Sequence, residues 1–176
     1  MAGLWRSYLR VLNKYPWRTT CATTGTLMMA GDGISQLVVE KTELRDYDLA
    51  RSARFLVFGT VVIGPALRGW YMNLDRLFIG KKAAPIKMML ADQSFFAPQV
   101  LMVFLTGMAA FRGDSFHDIK QKVKQDYLTI LMTNYKVWPA AQLINFYLIP
   151  LQHRVLFVNF VALGWNTYMA WMSEKK

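Results

Sequence analysis

The sequence predicts an all-α membrane protein, a multi-span transmembrane helical bundle of about four crossings in a single domain over 1–176. Three observations carry that prediction. Of the 176 residues 54% are apolar, above the roughly 45–50% of ordinary globular chains. Two runs, Gln93 to Phe111 and Val155 to Ser173, each hold 19 residues without a charge, close to the ~20 that cross a bilayer. Aromatic residues make up 14% of the chain, and Trp70, Tyr71, Trp138, Tyr168 and Trp171 fall near the ends of the apolar runs, as in an interfacial belt.

The elements follow in chain order. Residues 1–16 form an amphipathic helix, with Leu4, Tyr8, Leu12 and Tyr15 near one face and Arg6, Arg10 and Lys14 on another. It has no acidic residue and no continuous apolar core, so it reads as a mitochondrial targeting or interfacial anchoring helix, with ordinary helix packing as the alternative. The first span is 17–39, whose 23 residues reach roughly 34 Å against ~30 Å of hydrocarbon. Spans at 52–74 and 85–111 follow. Ser115 to Lys136 places Ile119, Val123, Tyr127 and Ile130 on one stripe among lysines, which suits an interfacial helix over about 115–136. Pro139 and Pro150 bracket a broken stretch that feeds a last span over 139–173 with a kink near 150. A fifth crossing stays open.

The net charge of +10 is spread through connecting segments without a base-reading block. Direct nucleic-acid binding is therefore not expected, and the lipid bilayer with its anionic lipids is the expected partner. Lys and Arg numbers tie among the four inter-span regions, so they assign no orientation. Cys21 is the one cysteine, which excludes an intramolecular disulfide.

The final third carries a signature: Trp138-Pro139-Ala140-Ala141-Gln142-Leu143-Ile144-Asn145-Phe146, then Pro150, Arg154 and Trp165-Asn166-Thr167-Tyr168. Upstream stand Gly31-Asp32 with Gln36, Gly64-Pro65, Gly69-Trp70-Tyr71, Lys87-Met88-Met89-Leu90 with Asp92-Gln93, and Ala97-Pro98. Over nearly its whole length the chain resembles the Mpv-seventeen and peroxisomal-membrane-protein family. Leu4-Trp5-Arg6 and Pro16-Trp17 look most like the mitochondrial inner-membrane branch, with a peroxisomal membrane pore as the second reading. The resemblance implies four transmembrane helices and a non-selective channel that modulates membrane potential. It further implies support of mitochondrial homeostasis, nucleotide pools and mitochondrial DNA maintenance. Cysteine-based gating within one chain does not carry over, because only Cys21 is present; pairing between chains through Cys21 stays open.

Charges inside a bilayer cost at least ~2.5–3.5 kcal/mol, so Asp32, Arg68, Asp92 and Arg154 should face the interior, water or one another. Direct pairing of Asp32 or Asp92 with Arg68 or Arg154 is expected. Asp32 with Gln36, and Gln142 with Asn145, share helix faces and either line a polar path or bind the helices together. For Asp32 and Asp92 lining is the favoured reading, since an unpaired buried carboxylate is costly. Small hydrophilic solutes or ions are the expected cargo. A wide pore needs either several protomers, in a homo-oligomer, or an open bundle, because a four-helix bundle of this size tends to fill its own core. No catalytic residue, cofactor site or metal site is expected: there is no nucleophile elbow, phosphate loop or HExxH helix, and His117, His153 and Cys21 make no ligand set. A non-conducting scaffold is the competing reading.

Overall fold

Prolines, glycines and short polar caps set the helix limits. The computed structural model describes residues 2–78, 80–149 and 154–175, and the chain is helical with no strand among them. Helix α1 is Ala2–Lys14 and α2 is Pro16–Ile34, with Pro16 in the first turn where its missing N–H costs nothing. Helix α3, Leu49–Phe78, opens on Asp48, whose carboxylate accepts the Arg51 backbone N–H at 2.8 Å. Helix α4, Ala84–Arg112, begins at Pro85 and stops at Gly113, which takes φ 89° where a side chain would be strained. Ser115 caps α5, Phe116–Tyr147, and α6 is Arg154–Glu174.

Three wide π turns interrupt this regularity, at Ser35–Val39 beyond α2, Gly59–Ile63 in α3 and Asp92–Phe96 in α4. Two have an evident cause. Pro65 and Pro98 would press their rings against the carbonyls four residues back, at Val61 and Ser94. In each helix the preceding residue instead bonds five back, Gly64 to the Gly59 carbonyl and Ala97 to that of Asp92, and the local winding widens.

Contacts between neighbouring helices form an antiparallel ladder. Asp32 meets Ser52 across α2 and α3, and Cys21 meets Gly64 about three turns further along. Phe55 meets Phe104 and Trp70 meets Asp92 across α3 and α4. Tyr127 reaches Pro98 and Asn134 reaches Gln93 across α4 and α5, while Tyr168 reaches Thr133 and Trp165 meets Trp138 across α5 and α6. Helices α2 to α6 therefore run alternately up and down. Helix α1 bends away at Tyr15, and its Tyr8 hydroxyl accepts a bond from Thr23 at 3.4 Å.

Close approach depends on glycine. A Cβ on Gly31 would lie 2.8 Å from the Asn166 carbonyl carbon and 2.9 Å from the Thr167 nitrogen of α6; one on Gly25 would lie 2.6 Å from the Leu56 carbonyl oxygen. The core of Phe55, Phe58, Leu105, Met108, Ile130 and Met169 fills the half of the bundle toward Ser35–Val39. Outside, Val61, Phe95, Leu128 and Phe160 stay exposed. Helices α3 and α4 are long and apolar enough to cross a membrane, yet only 28% and 33% of their most apolar windows are buried within the protein. An apolar surroundings accounts for the rest.

Two expectations change. Residues 115–136 are not a separate interfacial helix but the first part of α5, which continues unbroken through Pro139 to Tyr147. That proline removes just the bond its N–H would donate to Tyr135, a loss that neighbouring helices can accommodate. Helix α5 ends at Tyr147 and α6 begins at Arg154, so the last helix starts later than 139; Pro150, the expected site of the kink, lies outside the described residues.

Gly31→Ala should overpack the α2–α6 contact and destabilise the fold by about 1–3 kcal/mol, whereas Gly164→Ala, with nothing within 4 Å, should not. Thermal unfolding in nanodiscs checks this, and equal melting of both variants would contradict the packing described.

Candidate functional site

Five long helices of unequal polarity border an open-sided cavity of about 570 Å³. It runs from Pro85 near the start of α4 to Phe104, and Tyr8 and Leu12 of α1 lie over part of it. Its apolar wall includes Met28, Leu67, Met88 and Trp165, while Thr20, Thr23, Asp92, Gln93, Asn134, Gln142, Asn159 and Asn166 bring polar atoms from α2, α4, α5 and α6. Toward the other end Phe55, Phe58 and Met108, each no more than 2% exposed, fill the interior.

The π turn in α4 sets Asp92 at the cavity wall. Its carboxylate accepts the Trp70 indole N–H at 2.9 Å and the Gln93 amide at 2.9 Å; the Gln93 carbonyl in turn accepts from Asn134 at 2.8 Å. Trp70 is held flat against Phe96, ring centroids 5.1 Å apart and planes within 5°. The result is one hydrogen-bonded line across α3, α4 and α5 with a carboxylate bordering the cavity. Such a wall can attract cations and hydrogen-bond a hydrated solute.

Asp32 lies elsewhere. It is 0% exposed, and its carboxylate takes Arg51 Nε at 2.6 Å, the Ser52 hydroxyl at 2.6 Å and Gln36 Nε2 at 2.8 Å. Arg51 continues to Glu40 at 2.7 and 2.8 Å, and Gln36 accepts the Asp48 backbone N–H at 2.8 Å. The lining role expected for Asp32 and Gln36 is thus replaced by a closed network that ties the α2–α3 connection to both helices. Two residues four apart on a helix can share a face without that face meeting the cavity.

Other expectations divide. Asp32 pairs with Arg51 rather than Arg68, because the connection folds Arg51 back onto α2 before Arg68 comes within reach. The Arg68 Nε is buried with no hydrogen-bond partner among the described residues. The Arg154 side chain, a predicted partner, lies outside the described residues. Gln142 lines the cavity, whereas Asn145 does not; it is 5% exposed, and its Oδ1 has no partner among the described residues. Trp70 donates its indole N–H to Asp92, and Trp138, Trp165, Tyr168 and Trp171 form a row of edge-to-face and tilted ring contacts along α5 and α6.

Sequence reasoning missed Arg51, Glu40, Trp70, Gln93 and Asn134. Gln93 was within sight, as the neighbour of Asp92 in the matched motif; the others depend on which helices become adjacent. Among the described residues no three His, Cys, Asp or Glu side chains gather to hold a metal.

Two arginines lower the titration of carboxyls beside them. The Arg51 guanidinium holds the Glu40 carboxyl below its usual range, and Arg112 does the same for Asp114 while also reaching Glu174 at 3.0 Å. Lowered native values mean that the unfolded chain binds more protons on the acid side. Their stabilisation is complete above the ordinary carboxylate value, 4.5 for Glu40, and is lost as pH falls below it.

Arg51→Gln should cost about 3–5 kcal/mol by leaving Asp32 buried and unpaired, while Arg45→Gln, whose ion pairs are solvent-exposed, should change little. Unfolding of the two variants side by side reads this directly. Melting of the wild type should also drop on acidification below pH ~4, and Glu40→Gln should flatten that drop; an unchanged slope would remove Glu40 from the account.

A model of the Mpv17 / PMP22 family matches residues 109–170. The chain is 44% identical over 176 residues to the Mitochondrial inner membrane protein Mpv17 of Xenopus laevis, covering 99% of both chains. It is 41% identical to the same-named protein of Danio rerio, again over 99% of each. Against that of Homo sapiens it is 42% identical over 98% of this chain and 99% of the relative. No solved structure matches. These full-length likenesses set aside the peroxisomal reading: the chain belongs to the Mpv17 / PMP22 family and is a mitochondrial inner-membrane protein.

Proposed function

We propose that the protein is a weakly selective channel for small hydrophilic solutes or ions, with the polar cavity as its interior and Asp92 as the group that tunes passage. The cavity wall carries this reading. A bundle built only to hold itself together would close its polar groups on one another away from any cavity, as Asp32 and Arg51 do; Asp92, Gln93 and Asn134, although bonded to one another, border open volume together with Gln142, Asn159 and Asn166. The fill of Phe55, Phe58 and Met108 beyond the cavity makes this a closed conformation of such a channel. By leaking solutes or ions it would modulate membrane potential and so support mitochondrial homeostasis, nucleotide pools and mitochondrial DNA maintenance.

The antiparallel ladder favours five crossings, α2 to α6, in place of four. In that reading α5, at about 1.5 Å per residue, extends ~48 Å and stands beyond the ~30 Å of hydrocarbon at its charged start, and α1 lies at the interface as an amphipathic helix. The chain is non-catalytic in this reading, and neighbouring copies in a homo-oligomer would widen the path. A scaffold is the second reading, favoured specifically by the closed Asp32–Arg51–Glu40 network.

Purified protein in planar bilayers should conduct, and Asp92→Asn should alter conductance or ion selectivity severalfold with folding intact. Asp92→Asn indistinguishable from wild type would take Asp92 out of the path. Absence of conductance at every voltage would favour the scaffold.

A further inference from the structure

Placing the helices side by side sorts the charges in a way that the linear sequence conceals. The connection between α2 and α3, the turn between α4 and α5, and the end of α6 share one end of the bundle. The other end holds α1, the α3–α4 turn and the start of α6. Every acidic residue except Asp75 and Asp92 lies in the half toward the first of these ends, although the basic residues divide nearly evenly. The ion pairs of Arg45, Arg51, Arg54, Arg112 and Lys122 all sit at that acidic end. At the opposite end Arg76, Lys81, Lys82 and Lys87 form no ion pair among the described residues. Lys81 rests its ammonium 5.8 Å from the Phe78 ring centroid, at the end of an apolar helix. This is the placement of a snorkelling side chain at a headgroup layer.

Unmatched cations at one end of a membrane bundle have two electrostatic reasons to face the matrix. They lie on the negative side of the membrane potential there, and phosphate-bearing anionic lipids supply the charges that the protein omits. We propose that the end bearing α1 and the Lys81–Lys82 turn sits in the matrix leaflet of the inner membrane, neutralised by the phosphates of anionic phospholipids, with the acidic end toward the intermembrane space. The inference rests on the five-crossing reading. It places the two termini on opposite sides, the amino terminus in the matrix. The cavity, which begins near Pro85, then approaches the matrix face, and the aromatic fill and ion-paired network stand between it and the intermembrane space.

The test uses full-length protein in its own membrane, in a Cys21→Ser background with one added substitution at a time: Glu43→Cys, Lys82→Cys or Lys175→Cys. Mitoplasts are treated with a membrane-impermeant maleimide before and after permeabilisation. Positions 43 and 175 should label at once, and position 82 after permeabilisation alone. Position 82 labelling at once with 43 and 175 protected would overturn the orientation and leave five crossings intact. Opposite behaviour of 43 and 175 would instead overturn the five-crossing reading beneath it. For the lipid, thermal melting is compared in phosphatidylcholine nanodiscs with and without phosphatidylglycerol. Phosphatidylglycerol should raise the melting temperature; Lys81→Gln with Lys82→Gln should abolish the rise, and Lys120→Gln with Lys124→Gln should retain it. No rise, or an equal loss in both double variants, would overturn the lipid contact.

Discussion

Asp32 is a carboxylate with no access to solvent, and the arrangement of the first half of the bundle follows from the need to satisfy it. A buried charge is tolerable only with a partner and a full set of hydrogen bonds. Arg51 provides the charge, while Ser52 and Gln36 provide the remaining bonds. Because Arg51 and Ser52 belong to the first turn of α3, meeting Asp32 sets where α3 begins against α2. The ladder of Gly25, Cys21 and Gly64 then follows as a consequence of register. Glu40 occupies the outer side of Arg51, so the connection between the two helices is fastened at its base rather than left to its own sequence.

The second polar line obeys a different rule. Asp92 is also satisfied, by an indole and an amide, but neither donor carries a full charge, and the carboxylate borders volume instead of protein. One chain thus holds two acids in contrasting states, the first paired with an arginine and the second bonded to uncharged donors. The difference between a lock and a lining comes from partner chemistry, since both aspartates begin from the same residue type in an apolar helix.

Much of this was legible in the sequence and some was not, for identifiable reasons. Apolar runs and proline positions located the helices, because burial and backbone chemistry are local. That Asp32, Gln36, Asp92 and Gln142 turn inward was legible because polar groups are costly in such surroundings. The choice of partner was not: Arg51 stands 19 positions from Asp32, and Trp70 stands 22 from Asp92, so neither pairing has a periodic signature. Residues 115–147 misled for a sharper reason. A charged amphipathic stretch followed by proline reads as two elements, yet one long helix can carry charge where it leaves the bilayer and a proline where neighbours support it. The charge asymmetry between the two ends is invisible to counting along the chain, because it exists only once alternate connections are gathered on the same side.

The π turns extend the meaning of length in these helices. A turn closed by a bond to the fifth residue back holds one residue more than its α equivalent, so the segments on either side of Asp92–Phe96 are rotated relative to an uninterrupted helix by about one residue's share, ~100°. Met88 and Met89 face the cavity on one side of that turn while Leu101 and Phe104 face it on the other. The two faces are aligned by the extra residue. In this bundle the number of residues between landmarks is therefore as much a determinant of what borders the cavity as their chemical type, and a single insertion or deletion acts as a torsion applied to half a helix.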